Sequence, residues 1–211
     1  MKVENIRVSH ATAGHPPAAE PSDSPRKREL LEAAYGYLLA HGLADFSLRP
    51  LARAIGSSPR VLLYLFGSKD GLTRALLARA REEEVGALAA LGTTRQQAGM
   101  AAAGREVWAW LVNPSHRALL TLWLEGYARS LLGDRGPWAS FAQETVGDWL
   151  ELLAARQSDS RRHSRAGEDE RTLLLAVLRG ALLDVLATGD VERTTRAVEH
   201  HLAGLSHGEA H

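Results

Sequence analysis

Arg60 is the side chain of this sequence best suited to reading a nucleic-acid base. A guanidinium can bond guanine O6 and N7 at once, which a point charge cannot do. It stands in the run Ser58-Pro59-Arg60-Val61-Leu62-Leu63-Tyr64, which has the pattern of a short helix. In a major groove, with its N-terminal residues toward the bases, that helix would offer Ser58, Pro59, Arg60 and Tyr64 to DNA. No other constellation in the chain carries comparable chemistry. The absence of cysteine excludes disulfides, thiolate metal sites and a thiol nucleophile. There is no phosphate-binding glycine loop and no nucleophile elbow. The histidines are scattered or terminal, and His200 and His201 point apart on a helix. Neither enzyme activity nor a metal or cofactor is expected.

The elements that hold Arg60 are legible in Phe46 to Leu72, FSLRPLARAIGSSPRVLLYLFGSKDGL. Ser47 can cap a first helix on which Leu48, Leu51, Ala52 and Ile55 recur at helical spacing. Gly56 ends it, where positive φ is often needed. Ser58 can cap a second helix with Pro59 at its first position, and Val61, Leu62, Leu65 and Phe66 give it a buried face. Gly67 closes it, and Ser68 can cap a helix begun by Lys69 and Asp70. Two short helices about a glycine turn fit a helix-turn-helix. They also fit an ordinary helical hairpin, and spacing alone does not separate the two.

The charge distribution favours the first. Residues 26–81 hold ten Lys/Arg against four Asp/Glu, a balance of +6. Residues 82–211 carry −5 and residues 1–25 carry −1, so the chain as a whole is neutral. A basic head on an acidic body suits a DNA-binding segment joined to one that does not touch DNA. Arg49 and Arg53 lie on the exposed side of the first helix of the pair. Arg26, Lys27 and Arg28 open an earlier helix, started by Ser24-Pro25, where they oppose its dipole; a nearby phosphate backbone accounts for them, as does a solvated charge run.

Residues 29–72 resemble the N-terminal domain of the TetR family of transcriptional regulators. The matching positions are Ala33, Ala34, Gly42, Ser47, Leu51, Ala52, Gly56, Ser58, Leu62, Phe66, Ser68, Lys69 and Leu72. Two depart: Leu63 stands where the family usually has Tyr, and Leu65 where it has His or Tyr. The phosphate contact of that tyrosine cannot come from Leu63, and Tyr64 is placed to supply a different one. The resemblance implies a phosphate contact from Lys69. It also implies an all-α fold of about nine helices: a three-helix helix-turn-helix domain joined by helix 4 to a helical ligand-binding and dimerisation domain. The chain then divides into a disordered arm at 1–23, a DNA-binding domain at 24–81, and an effector-binding and dimerisation domain at 82–211.

The fourth helix runs from about Lys69 to Leu91, and Glu82, Glu83 and Glu84 mark the end of the head. Further helices are expected at about Thr94–Val112, Ser115–Leu132, Trp138–Arg156 and Asp169–Thr188. Gly189-Asp190 then precedes a last one bearing Val191, Thr195, Val198, Leu202 and Leu205. Residues 157–167 are polar without an apolar face and read as a mobile loop. Trp108, Trp123, Tyr127, Phe141 and Trp149 each read singly as core. The resemblance implies that they line an apolar ligand pocket, with polar contacts from His116, Arg117, Glu125 and Arg129. It also implies a homodimer through Leu174, Leu178, Ala181, Leu182, Val185, Val198 and Leu202. No apolar run reaches the roughly 18 residues of a membrane span, and no signal-peptide core is present, so a cytoplasmic protein is expected. The reading is a ligand-responsive repressor of a palindromic operator in double-stranded DNA. Ser47, Tyr64, Lys69 and the basic run would hold phosphates, while Ser58, Pro59 and Arg60 read bases. A small apolar effector would release it. A helical interaction protein with a degenerate head, and a regulator without a ligand, are the alternatives.

Overall fold

The computed structural model describes residues 24–43, 46–91, 99–132 and 136–208. The arm expected at 1–23 and the helix start expected at Thr94 lie outside them. Among the described residues the α-helices are, in chain order, α1 (Pro25–His41), α2 (Leu48–Ala54), α3 (Pro59–Phe66), α4 (Lys69–Leu91), α5 (Gly99–Leu111), α6 (Arg117–Leu131), α7 (Phe141–Ala154), α8 (Asp159–Arg162), α9 (Arg165–Thr188) and α10 (Val191–Gly208). None is long and apolar enough to cross a membrane.

Local chemistry sets most of the boundaries. Ser24, Ser58 and Ser164 accept from the N–H groups of Lys27, Val61 and Gly167, capping α1, α3 and α9. Ser68 does the same for Gly71 in the first turn of α4. Ser47 holds the cap position of α2 but makes no capping bond, contrary to expectation. That helix is held by the burial of Leu51 and Ala52, which leaves the Ser47 hydroxyl exposed. Gly56 turns the chain at φ +63°, where a side chain would be strained.

Leu30, Ala34 and Leu38 of α1 join Leu51, Leu62, Leu72 and Leu76 in the core of the head. Val61, expected to be buried, is exposed because Leu62, Leu65 and Phe66 already fill the inward arc of α3. The fourth helix packs on α1 and α3 of the head and on α5, α6 and α7 of the body. Arg79 binds Glu32 of α1 at 2.6 Å, and Arg81 binds Asp148 of α7 at 2.7 Å, so one helix is pinned at both ends of the junction.

In the body, α5 lies tight against α9 and α10. A Cβ on Gly104 would sit 2.5 Å from Leu202 Cδ2 and 3.2 Å from Leu174 Cδ1, so a larger residue there would push these leucine methyls aside. The stretch 157–167 is not the loop its composition suggests. It contains α8, and α9 starts at Arg165 rather than near Asp169. Gln157 Nε2 donates to Gly167 O and to Glu170 Oε2, both at 2.9 Å, and Arg171 donates to Gln157 Oε1 at 3.1 Å. Polar side chains anchor this segment, so no apolar period announces it.

The residues expected at a dimer interface also need correction. Leu174, Leu178, Leu182, Val185, Val198 and Leu202 are buried within the chain, and Ala181 is half-buried. The outward face of α9 carries Leu173, Ala176, Gly180, Leu183 and Ala187, at alternating spacings of three and four. Leu173 is 55% exposed and Leu183 42%. Because α9 is apolar on both sides, periodicity alone does not say which side meets the chain's own core.

Candidate functional site

At the tip of the head, α3 turns Arg60, Leu63 and Tyr64 outward, and Tyr64 is 74% exposed. Arg49 and Arg53 are exposed on α2. Lys69 is exposed at the start of α4, its ammonium 5.2 Å from the centre of the Phe46 ring. Six arginines elsewhere in the chain are neutralised by carboxylates. Arg79, Arg81, Arg105, Arg156, Arg193 and Arg196 all form ion pairs with carboxylates. Among the described residues no carboxylate pairs with Arg49, Arg53 or Arg60. Unneutralised guanidinium groups on two adjacent helices create a positive potential suited to a polyanion. The basic start of α1 is partly engaged: Arg26 pairs with Glu29 at 2.8 Å and Lys27 lies over the Phe66 ring.

In the body, Glu84, Leu111, Trp123, Trp149, Leu175, Leu178, Arg179 and Leu182 line a small cavity with room for about one water molecule. Glu84 is 3% exposed. Burial pushes its carboxyl up to about 7, and Asp148 pushes the same way. A hydrogen bond from Trp149 Nε1 at 2.8 Å, with Arg179 and Arg81, pulls it back down. Arg179 Nη1 donates to the Tyr127 hydroxyl at 3.0 Å, and its guanidinium lies 5.1 Å from that ring's centre. Arg179 Nη2 and Trp123 Nε1 are buried without a hydrogen-bond partner among the described residues.

A polar link joins body to head. Glu125 of α6 accepts from the Leu43 backbone N–H at 2.7 Å, just beyond α1. Trp123, on the same helix, lines the cavity.

No protein-family model matches the sequence, and no curated protein does. Solved structures do. A TetR transcription regulator from Haloarcula marismortui aligns with a TM-score of 0.66 at 21% identity, over 87% of this chain and 97% of its own. A transcriptional regulator from a Rhodococcus species gives 0.67 at 18% identity, over 86% and 96%. EbrR, a multidrug binding protein solved with imidazole, gives 0.62 at 25% identity, over 86% and 92%. This chain has the TetR fold.

Within the TetR fold, Ser47, Arg49, Ser58, Pro59, Arg60, Tyr64 and Lys69 all fall on α2, α3 and their flanking turns or the first residue of α4, and none is buried. The departure at Leu65 is a core position, whereas Leu63 is exposed beside Tyr64. Of the expected ligand residues, Trp123 and Trp149 line the cavity. Trp108 does not, because its Nε1 donates to Thr195 of α10 at 2.9 Å. Phe141 packs instead where α7 crosses Gly126 of α6. Tyr127 reaches the cavity only through Arg179. The expected polar contacts are engaged elsewhere: His116 stacks on Trp110, Arg129 lies over Trp138 and Glu125 holds Leu43; Arg117 is exposed.

The polar groups that do line the cavity are Glu84 and Arg179, and the sequence reading missed both. Each had a signal. Glu84 continues the buried stripe of Leu77 and Ala80 at spacings of three and four, and Arg179 interrupts the apolar stripe of Leu175, Leu178 and Leu182.

Proposed function

We propose that this chain is a sequence-specific DNA-binding transcriptional repressor, acting as a homodimer and released from a palindromic operator by a small ligand in the cavity beside Glu84. The observation that carries the reading is the cluster of exposed arginines without carboxylate partners on α2 and α3 of a TetR-type head. Arg60, Ser58 and Pro59 read bases, while Ser47, Arg49, Tyr64 and Lys69 hold phosphates. The likeness to named transcriptional regulators supports the DNA-binding role, and the likeness to EbrR supports a ligand.

Dimerisation uses the outward face of α9 together with α10. Leu173, Ala176, Gly180 and Leu183 form a seam at heptad-like spacing that a second copy covers. Such a dimer sets two recognition helices about 34–36 Å apart. A ligand that displaces α6 disturbs the Glu125 grip on Leu43 and thereby the head. It releases DNA only if it binds that displaced state more tightly than the DNA-bound one.

The test is selection of bound duplexes from a random pool near physiological salt. Enrichment of one palindrome is expected. A lone half-site removes the dimer geometry, and no enrichment puts the interaction-protein reading first. On the selected site, Arg60→Ala is expected to weaken binding by about 1–3 kcal/mol and relax one base position per half-site. Equal loss on every sequence would make Arg60 a phosphate contact. Lys69→Ala is expected to weaken binding on all sequences and reduce the salt slope by about 1 per head; an unchanged slope removes it from the interface.

A further inference from the structure

Apolar side chains stand on the outer arc of α3 beside Arg60. Val61 is 38% exposed, Leu63 40% and Tyr64 74%. One exposed leucine on a protein surface means little. Here the three crowd onto one side of an eight-residue helix whose other side, Leu62, Leu65 and Phe66, already fills the core. Packing within the chain therefore does not account for them. The same helix pair carries Arg49, Arg53 and Arg60, exposed and without carboxylate partners among the described residues. A phosphate backbone answers those arginines but offers nothing to a leucine. Leu63 has no hydrogen-bonding group, so it holds neither a phosphate nor the polar edge of a base. In the major groove the apolar feature of the base edges is the 5-methyl group of thymine. We propose that Leu63 is a specificity-determining residue that packs against a thymine 5-methyl group in each operator half-site. This rests on the reading above that α3 enters the major groove of DNA.

Position on the helix selects Leu63 among the three. It follows Arg60 by three residues, so the two share a face, whereas Val61 points about 100° away from Arg60. Tyr64 shares that face too, but its ring ends in a hydroxyl suited to a phosphate oxygen. Three residues advance about 4.5 Å along a helix, against about 3.4 Å between stacked base pairs. With Arg60 on a guanine and α3 lying along the groove, the thymine falls about one or two base pairs away. The contact is uncharged and releases no counterions. The preference it gives therefore survives salt that weakens binding as a whole.

The experiment uses the full chain and the duplex it selects from a random pool. Each thymine of a half-site is replaced in turn by uracil, which removes only the 5-methyl group and keeps the base pair. Replacement at one position per half-site, near the guanine read by Arg60, is expected to weaken binding about fourfold, the worth of one buried methyl group. That ratio is expected to hold between about 50 and 200 mM salt while overall affinity falls. Leu63→Ala is expected to bind the thymine and uracil duplexes alike, in protein shown to be folded by circular dichroism. Leu63→Gln keeps the side chain's length and helix propensity, is expected to behave the same way, and serves should the alanine variant not fold. A selected duplex indifferent to uracil at every thymine overturns the proposal and leaves the regulator reading standing. So does a selected half-site without thymine. A uracil effect that persists in the variants overturns it too, because Val61 or Tyr64 then holds the methyl group. No selected duplex at all overturns the regulator reading and this proposal with it.

Discussion

Gly180→Arg is expected to yield a folded monomer that has lost most of its affinity for the operator. Gly180 lies on the outward face of α9, and a Cβ placed there meets nothing within 4 Å. The substitution therefore disturbs no packing inside the chain. It also replaces a poor helix former by a good one, worth up to about 1 kcal/mol to α9. The variant should keep its helical circular dichroism, its melting temperature losing only the contribution of dimerisation. The effect falls on the seam, where an arginine from each copy enters a face otherwise built of Leu173, Ala176 and Leu183. Bulk and like charge then sit where two helices must approach. Sedimentation should show the mass of one chain. Operator affinity should fall by roughly 10²–10⁴, because the second head is no longer tethered beside the first. A variant that stays dimeric and binds normally would place the dimer contact on another face. A variant that loses its helical circular dichroism at low temperature would show that Gly180 serves the chain's own fold.

The head was the more legible half of the chain because its signals are local. Ser58-Pro59 and Ser68 mark helix starts through bonds to N–H groups three residues on, and Gly56 marks a turn that needs positive φ. Such features depend on neighbours in sequence and survive without knowledge of the fold. Ser47 failed as a cap because α2 is secured by packing instead. In the body the deciding contacts are long-range. The repeat of apolar residues in α9 is plain, yet Leu173 and Leu174 are neighbours with opposite fates, one exposed and one fully buried. Only the positions of the helices packed on α9, among them α5, α7 and α10, decide between them. Trp108 and Trp123 look alike in the sequence, but one donates to α10 and the other lines the cavity. Glu84 hid in a run of three glutamates that resembles a solvated charge cluster. Gln157 and Arg171 hold a segment whose composition suggested no order.

Glu84→Gln is expected to stabilise the chain above neutral pH and to do little at about pH 5. Burial raises the Glu84 carboxyl from 4.5 to about 7, more than the Trp149 hydrogen bond and Arg179 lower it. The sign follows from the protons. Between those two values the folded chain keeps a proton that the unfolded chain has released, so stability falls as pH rises. The loss is complete a little above pH 7 and amounts to about 3 kcal/mol, to order of magnitude. Glutamine has nearly the same shape, and its amide oxygen can still accept from Trp149 Nε1, but it has no charge to desolvate. Urea midpoints of the two proteins should therefore lie close at about pH 5 and diverge steadily to about pH 8, with the variant higher. Parallel curves would mean that Glu84 ionises like an exposed carboxylate and is not buried as described. The divergence also bears on function. A carboxyl that destabilises the fold at neutral pH, placed beside a guanidinium with an unpartnered nitrogen, is better explained by a ligand site than by packing.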